Sequence, residues 1–283
     1  MKKTFRIIMV ASWPVFIEQA KALEHSLYEL GADSVVIQDD ADIKDEHFYG
    51  NIVIKALRQW LPNFRGGMKI LFQTEELWNR RQWGRYDLSA HYDRVLEMYD
   101  ENVRIKFGTN NVVYCPVGYS PVWESNLPEV EEDIDVFFHG SLTPRREEFE
   151  RHLRKLGLKT LFTSKSYGLE RDKLIMRSKI DINIKAHDKW SYGPMHCLPA
   201  QANKKFMLAE KANGGYGPFK PGLHVAEYNG LKDCKEKVLY WLKHEEERKE
   251  FARRAYEDMK ANCDFTEILR KALGEQKGMP RIM

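Results

Sequence analysis

IDINIKAHDKWSYGPMHCLPAQANKKFMLAEKANGGYGPFKPGLHVAEY, residues 180–228, is the stretch that decides the fold. It begins with an apolar strand, Ile180–Ile184, and a polar, aromatic loop then leads to a predicted helix over Phe206–Asn213. Gly214-Gly215 follows, and glycine readily takes the left-handed conformation that ends a helix. A second turn-rich segment leads to Leu223–Tyr228. This order of strand, helix and turn is typical of an α/β domain.

Two lysines, Lys204 and Lys205, stand at the expected N-terminus of that helix. Helix N-termini expose unpaired N–H groups and the positive end of the helix dipole, and both attract anions. Glu210 lies inside the predicted helix. The arrangement indicates either a site for a phosphorylated ligand or an ordinary strand–loop–helix with a solvated basic face.

Composition places the chain among soluble globular proteins. Its 283 residues are 43% hydrophobic and 31% charged, which is enough apolar mass for two domains of ordinary size. No apolar run reaches the length of a membrane span, and the N-terminal MKKTFRIIMVASWP is better interpreted as a first strand than as a signal peptide. The net charge of +3 is compatible with an anionic ligand but does not establish nucleic-acid binding.

The four cysteines are widely separated and show neither metal-ligand spacing nor a disulfide framework, so a cytoplasmic location is expected. His139, His187 and His196 have spacings that suit no standard zinc site. Two acid-x-acid triplets, at residues 40–42 and 133–135, fit a turn and the start of a strand. We therefore expect no required metal and no cofactor other than the substrates.

The first half alternates strands and helices. A helix over Val15–Leu30 stops at Gly31, and His91–Met98 fits a strand or a short helix equally well. Strands are predicted at Phe5–Ala11, Ser34–Ile37, Asn51–Ile54, Lys69–Phe72 and Asn111–Cys115. A buried first strand followed by this alternation predicts a parallel sheet in an open α/β domain over residues 1–124.

A second α/β pattern follows an acidic, proline-containing boundary, Ser125–Asp133. It includes the strands Ile134–Phe138, Lys159–Phe162 and Ile180–Ile184, the helices Pro144–Leu156 and Glu170–Arg177, and three C-terminal helices from Asp233 to Leu273. The second domain is predicted over residues 134–264. Two such domains place a ligand cleft between the carboxyl ends of their sheets.

Seven segments, in their order and spacing, resemble the glycosyltransferases with two facing Rossmann-like domains, the GT-B fold. Group 1 of these enzymes, and within it the spore-maturation-type subfamily, is the most similar. The segments in the second half are DVFFHGSLTPRR, SYGLERDKLIMRSKIDINIKAH, NKKFMLAEKANGGYGPF and VLYWLKHEEERKEFARRAYEDM. Those in the first half are ILFQTEEL, YDRVLEMY and VVYCPVGYSPVWE.

The resemblance implies a metal-independent transferase that moves a sugar from a nucleoside-diphosphate sugar, such as a UDP- or GDP-sugar, to an acceptor hydroxyl. The second domain would hold the donor and the first the acceptor. The final segment, residues 265–283, would pack back across the first domain. The acceptor could be a glycan, a small molecule or a hydroxymethylated base in DNA.

The leaving diphosphate gains negative charge, which a metal-free enzyme must meet with cations, hydroxyls and backbone N–H groups. Gly140 and Ser141 follow the first strand of the second domain, where glycine permits close backbone approach. Arg145 and Arg146 follow, one expected to reach the ligand and the other to face solvent. The alternative is that both lie on the surface of a helix start, where positive charge is mildly unfavourable. Lys204 and Lys205 complete the expected phosphate contacts.

Glu210 is the candidate that grips the ribose hydroxyls, because a carboxylate can accept two hydroxyl hydrogen bonds. The broader retaining family has a second glutamate eight positions earlier, where this chain has Ala202. Ser164 and Tyr167 follow a strand and are expected to line the nucleobase pocket, with Tyr167 stacking, unless they form a surface turn.

The acceptor side is predicted from the first domain. Glu75, just past the fourth strand, could be the general base, or merely a surface acid. Ser12 and Trp13 follow the first strand; Ser12 is a candidate catalytic group and Trp13 could stack on the acceptor or belong to the core. Trp190, with Tyr192, could contact an acceptor such as a flipped DNA base.

Two other classes of function remain open. The first is a non-catalytic nucleotide- or sugar-binding protein on the same scaffold, because fold does not fix function. The second is a DNA-interaction protein, which the basic residues Lys165, Arg171, Lys173, Lys185, Lys189, Lys204 and Lys205 leave possible.

Overall fold

A computed structural model describes residues 3–9, 13–38, 48–55, 66–74, 76, 91–105, 111–186 and 192–274. The side chains of Trp13, Val15 and Lys55 are not among those described. The chain divides into two compact units. Unit 1 comprises Met1–Val122 and Phe265–Met283, and unit 2 comprises Trp123–Asp264. The first boundary thus lies at Val122, before the acidic segment Ser125–Asp133.

Unit 1 contains a six-stranded parallel sheet. Its elements are β1 (Thr4–Met9), α1 (Trp13–Glu29), β2 (Asp33–Gln38), β3 (Gly50–Lys55), β4 (Met68–Gln73), β5 (Arg94–Glu97), α2 (Asp100–Ile105) and β6 (Val112–Tyr114). The strand order is β2-β1-β3-β4-β5-β6. The central strands are mostly apolar and mostly buried, as parallel strands covered by helices require, and the buried side chains of Arg6 and Asn51 are joined by a 2.8 Å hydrogen bond. The ambiguous segment His91–Met98 therefore contains a strand.

The last helix of the chain, Phe265–Ala272, packs on unit 1. The Thr266 hydroxyl lies 3.3 Å from the Ser26 hydroxyl on α1. Arg94 donates a 2.9 Å hydrogen bond to the Ala272 carbonyl, and the Phe265 and Phe72 rings lie 6.3 Å apart. The helix has a buried apolar stripe that includes Phe265 and Leu269, which fixes the face it presents to this unit.

Unit 2 contains a five-stranded parallel sheet of order β11-β10-β9-β7-β8. Its strands are β7 (Ile134–His139), β8 (Thr160–Thr163), β9 (Ser178–Asn183), β10 (Met207–Glu210) and β11 (Ala226–Tyr228). Its helices are α3 (Pro144–Arg154), α4 (Gly168–Met176), α5 (Pro194–Ala202), α6 (Gly230–Lys243) and α7 (Glu245–Asn262). The helix Phe265–Ala272, which belongs to unit 1, is labelled α8. The core contains Val136, Ile180, Ile182, Leu208 and Val238, all almost fully buried.

The helix predicted over Phe206–Asn213 is wrong. Met207–Glu210 is the buried strand β10, and the helix before it is α5, which contains Pro199. The error has a physical cause, because a short apolar run that is buried on both faces has no periodicity that separates strand from helix. Lys204 has a left-handed backbone (φ 56°) just after α5, which ends that helix.

Lys204 and Lys205 therefore lie at the amino end of β10, the end opposite to the one at which ligands of parallel sheets bind. They line a groove of about 940 Å³ together with residues of the 124–132 segment and of α7. Lys205 is paired with Glu132 and donates to the Met176 carbonyl at 3.2 Å. The ammonium group of Lys204 lies 5.0 Å from the centre of the Tyr256 ring. Neither lysine lies at a helix N-terminus, so the predicted anion site there is wrong.

Among the residues that the structure describes, no helix is both long enough and apolar enough to cross a membrane.

The Glu132 cluster generates a stability prediction. Glu132 accepts from Lys205 and from Arg248, whose guanidinium is buried and lies 3.1 Å from the second carboxylate oxygen. Glu132→Gln leaves these cations without a counter-charge and should lower the free energy of unfolding by about 3 kcal/mol, measured by urea denaturation. Glu129→Gln, at an exposed acid in the same segment, should change it by less than about 0.5 kcal/mol. Equal effects of the two substitutions would contradict this role.

His224 generates a pH prediction. Its buried ring accepts a hydrogen bond from the Lys220 N–H (2.8 Å) and is hydrogen-bonded to the Asp258 carboxylate (2.8 Å). Burial lowers the pKa of His224 below the usual value. The unfolded chain therefore binds a proton at His224 more readily than the folded protein does. The contribution of His224 to the free energy of unfolding is fully present above about pH 6.5. It is lost as the pH drops below that value, by up to about 1.4 kcal/mol per pH unit. Urea midpoints between pH 5 and 7.5 should show a smaller slope in His224→Gln. An unchanged slope would contradict the prediction.

Candidate functional site

Polar side chains gather at the carboxyl ends of three neighbouring strands of unit 2. His139, Asn183 and Glu210 are the last residues of β7, β9 and β10, and all three are buried. The carboxyl edge of a parallel sheet is where ligands bind in open α/β folds. Buried polar groups in such a position are unfavourable unless they are paired, so their partners define the site.

The loop after β7 requires glycine. Gly140 has a φ of 132°, and a Cβ built there would lie 3.0 Å from Cε1 of His196. A side chain at this position would therefore push α5 away from the loop. Thr143 caps α3 by accepting from the Arg146 N–H at 3.4 Å, and Pro144 begins the helix. The loop and two helix starts thus meet at the end of β7.

Arg146 is a buried residue that holds the loop in place. Its guanidinium donates to the Ser141 carbonyl at 2.7 Å and to the Ile184 carbonyl at 2.8 Å, and it lies 4.9 Å from the centre of the Phe138 ring. Burial lowers the Arg146 pKa to about 10, which leaves the side chain charged at neutral pH. Arg146 is 5% exposed, so the alternative in which both arginines lie on the surface of the helix start is wrong.

Arg145 and Glu210 form a bidentate ion pair. One terminal nitrogen of Arg145 donates to a Glu210 oxygen at 2.8 Å and to the Lys185 carbonyl at 2.9 Å, and the other is hydrogen-bonded to the second Glu210 oxygen. The backbone N–H of Lys185 also donates to Glu210, at 3.1 Å. The end of β10, and not a helix, therefore fixes the position of the Glu210 carboxylate. The pair joins α3, β10 and the segment just after β9 at the carboxyl edge.

Two histidines and an aspartate lie beneath this edge. The His139 Nε2 lies 3.1 Å from the His196 carbonyl and 3.9 Å from a carboxyl oxygen of Asp181. Asp181 is 1% exposed, and neither of its oxygens has a hydrogen-bond partner among the described residues. Burial raises the Asp181 pKa well above its usual value and lowers that of His139 well below, so it favours the neutral form of both side chains.

The pKa of His196 is lowered to about 4, mainly by burial and to a smaller extent by the positive charges of Arg146 and Arg171. Arg171 is itself buried and pairs with Asp172 at 2.7 Å. Within the described part of the chain, no group of His, Cys, Asp and Glu residues has an arrangement that could hold a metal ion. The chemistry of the site is therefore that of cationic and neutral hydrogen-bond donors, a set that suits an anion.

Ser164 and Tyr167 follow β8, which neighbours β7 at the same edge of the sheet. The Tyr167 hydroxyl donates to the Ser164 carbonyl at 3.3 Å, and its ring is 43% exposed. An exposed ring held in this way is open to stacking, and the proposed nucleobase contact stays a prediction. Tyr192, by contrast, is fully buried and donates to Gln201, so it cannot contact a flipped base as the sequence predicted.

Several predicted residues cannot be compared with the structure. Ser12, Glu75 and Trp190 lie outside the described residues, as do His187, Lys189 and the triplet at 40–42. Trp13 begins α1, but its side chain is not described.

The sequence reasoning missed Glu97, Lys185 and His196 as members of polar clusters. Glu97 ends β5 in unit 1, is buried and accepts from the Asn102 side chain at 2.8 Å. It lies in the segment whose secondary structure was ambiguous, so its place at a strand end was not evident. Lys185 acts through its backbone groups, which no side-chain pattern reveals.

Comparison with solved structures shows the fold. The Anabaena protein HepE in complex with UDP and glucose aligns with a TM-score of 0.66 at 9% identity, over 96% of this chain and 98% of that one. A glycosyltransferase from Rickettsia africae aligns with a TM-score of 0.64 at 12% identity, over 96% and 97% of the two chains. T4 phage BGT in complex with UDP and Mn²⁺ aligns with a TM-score of 0.57 at 11% identity, over 95% and 99%. The chain therefore has the GT-B fold, as the resemblance predicted.

One curated relative is an uncharacterized protein of Acanthamoeba polyphaga mimivirus, 28% identical over 136 residues. The match covers 46% of this chain and only 15% of that protein.

A family model described as glycosyl transferase-like matches residues 125–274, just over half of the chain. This segment contains all of the carboxyl-edge site of unit 2. The chain belongs to the glycosyl transferase-like family.

Proposed function

We propose that the protein transfers a sugar from a nucleoside-diphosphate sugar, with UDP as the preferred carrier, to an acceptor hydroxyl. Family membership supports the transferase class, and HepE and T4 phage BGT were both solved with UDP. The observation that carries the donor site is the Arg145–Glu210 pair beside the Gly140 loop. A sugar nucleotide is bound well by a cation for its diphosphate, a carboxylate for its ribose hydroxyls and a loop whose backbone it can approach closely. All three features lie at this place.

In the proposed binding mode, Arg145 and Glu210 separate, and each binds a group of the donor instead of the other side chain. The donor diphosphate would accept from Arg145 and from the backbone N–H of Ser141, whereas the Gly140 N–H already donates to the Thr163 carbonyl at 2.9 Å. The Glu210 oxygens released by Arg145 would then accept from the ribose hydroxyls. Arg146 would add buried positive charge from behind the loop, and Ser164 and Tyr167 would flank the base. Lys204 and Lys205 are not part of this proposal, because they lie at the opposite end of β10.

On the acceptor side, we propose Glu75 as the general base and Ser12 as a second catalytic group, with Trp13 and Trp190 in contact with the acceptor. Unit 1 would then present a glycan, a small molecule or a hydroxymethylated base in DNA. We further propose that no metal is required, although T4 phage BGT was solved with Mn²⁺. The four cysteines are all free, which is in keeping with a reducing, cytoplasmic environment.

The first test is UDP binding by isothermal titration calorimetry, with EDTA and then with Mg²⁺ or Mn²⁺. The wild-type protein should bind UDP equally in all three conditions. Arg145→Gln should weaken binding by at least about tenfold, because a charge-assisted hydrogen bond to phosphate is lost. The matched control is Arg151→Gln, at an exposed position on the same helix, and it should bind as wild type does.

Failure of the folded wild-type protein to bind UDP or any other nucleoside diphosphate would overturn the donor site. Binding only with a divalent cation would overturn metal independence. Slow release of glucose from UDP-glucose without an acceptor would distinguish a transferase from the alternative, a non-catalytic binding protein on the same scaffold. DNA binding without nucleotide binding would favour the DNA-interaction alternative.

The role of Glu210 predicts a ribose preference. Wild-type protein should bind UDP about tenfold more tightly than 2′-deoxy-UDP, because a hydrogen bond from a hydroxyl to a charged carboxylate is lost. Glu210→Gln should bind both ligands with nearly the same affinity, measured by the same calorimetry. Glu147→Gln, an exposed acid on α3, serves as the control and should keep the preference. A preference that persists in Glu210→Gln would remove Glu210 from the ribose site.

A further inference from the structure

His196 occupies an unusual position at the proposed donor site. It lies in the first turn of α5, the residue is half-buried, and its ring rests against the backbone of Gly140. The loop that would hold the phosphates is thus in contact with an imidazole on one side and with the Arg146 guanidinium on the other. An imidazole can supply one or two N–H donors, depending on its protonation.

The groups that face His196 from the surrounding elements set its charge. His139 at the end of β7 is buried and neutral, with its ring centre 5.6 Å from that of His196. Arg146 on α3 and Arg171 on α4 are cationic and disfavour a further positive charge. Asp181 on β9 lies next to His139, and burial raises its pKa well above the usual value, which favours its neutral form. Without a ligand, His196 is therefore uncharged at neutral pH.

We propose that His196 contacts the donor diphosphate and takes up a proton as the donor binds. This inference rests on the proposed function, since it needs a diphosphate beside the Gly140 loop. A bound diphosphate would reverse the sign of the local field, because its negative charge outweighs the repulsion from Arg146 and Arg171. The imidazolium could then donate to a phosphate oxygen, and this contact is shorter and stronger than one from a neutral ring.

Proton uptake makes donor affinity depend on pH with a fixed sign. The free protein has a His196 pKa of about 4, and the proposal requires a higher value in the complex. Affinity must then increase as the pH falls from above the bound value towards the free value. His139, which has no proposed contact with the ligand, stays neutral and contributes nothing to this change.

The experiment titrates UDP-glucose into the full chain by calorimetry, in buffers of different ionisation enthalpy, between pH 5.5 and 8. UDP-glucose is the probe because neither phosphate is terminal, so the ligand lacks the second phosphate ionisation near pH 6. The slope of the observed enthalpy against the buffer ionisation enthalpy gives the number of protons taken up. The expected result is uptake of a substantial fraction of one proton near pH 6, with affinity about tenfold higher at pH 5.5 than at pH 7.5.

His196→Gln should bind UDP-glucose at least about tenfold more weakly at pH 5.5 and should lose the proton uptake. His196→Arg carries a permanent charge, so it should keep tight binding with no uptake, a result that a purely structural role does not predict. The control His152→Gln, at a histidine on α3 that lies 4.0 Å from the Glu148 carboxylate, should behave as wild type.

Two sets of results would overturn the inference. If wild-type protein binds UDP-glucose with no proton uptake, or if His196→Gln keeps the wild-type uptake, then His196 does not titrate with binding and only this inference fails. If the folded wild-type protein does not bind UDP-glucose at any pH, the proposed function fails together with it. The wild-type uptake is informative even if a variant does not fold.

Discussion

The bidentate pair between Arg145 and Glu210 is the interaction on which the carboxyl edge of unit 2 depends. A largely buried carboxylate is stable only if its charge is met, and Arg145 meets it with two hydrogen bonds. The backbone N–H of Lys185 donates to the carboxylate, and the backbone carbonyl of Lys185 accepts from the guanidinium. The three residues come from α3, the segment just after β9, and β10, so the pair also fixes the relative positions of these parts of the chain. A ligand that carries both an anion and hydroxyl groups can replace each partner of the pair with one of its own groups.

A second constraint lies beneath the pair, where ionisable groups are held in their neutral forms. Burial favours the neutral forms of Asp181 and His139 because it disfavours their ions. Arg146 keeps its charge at neutral pH and lies against the Gly140 loop through its bond to the Ser141 carbonyl. A buried cation in this place favours an anionic ligand, and the protonation of nearby groups should respond to such a ligand.

The sequence predicted the fold well because the alternation of strands with helices is strong and glycines mark several helix ends. Gly140 and Arg145 were predicted from their positions after a strand, and Glu210 from its place in a helix that proved to be a strand; their mutual contacts were not predicted. The prediction failed around Phe206–Asn213, where a run of buried residues carries no periodicity, and the error moved Lys204 and Lys205 to the wrong end of the sheet. Backbone contacts, such as those of Lys185, leave no signature in residue type. Burial, which decides the charge of Asp181 and His196, is a property of the folded chain and not of the local sequence.

The most direct test of the donor-site assignment is a crystal structure of the protein with UDP. The account predicts the diphosphate beside Gly140 and Ser141, within hydrogen-bond distance of Arg145, with Glu210 turned from the guanidinium to the ribose hydroxyls. UDP bound elsewhere, for example in the groove that Lys204 and Lys205 line at the amino edge, with the Arg145–Glu210 pair intact, would contradict it.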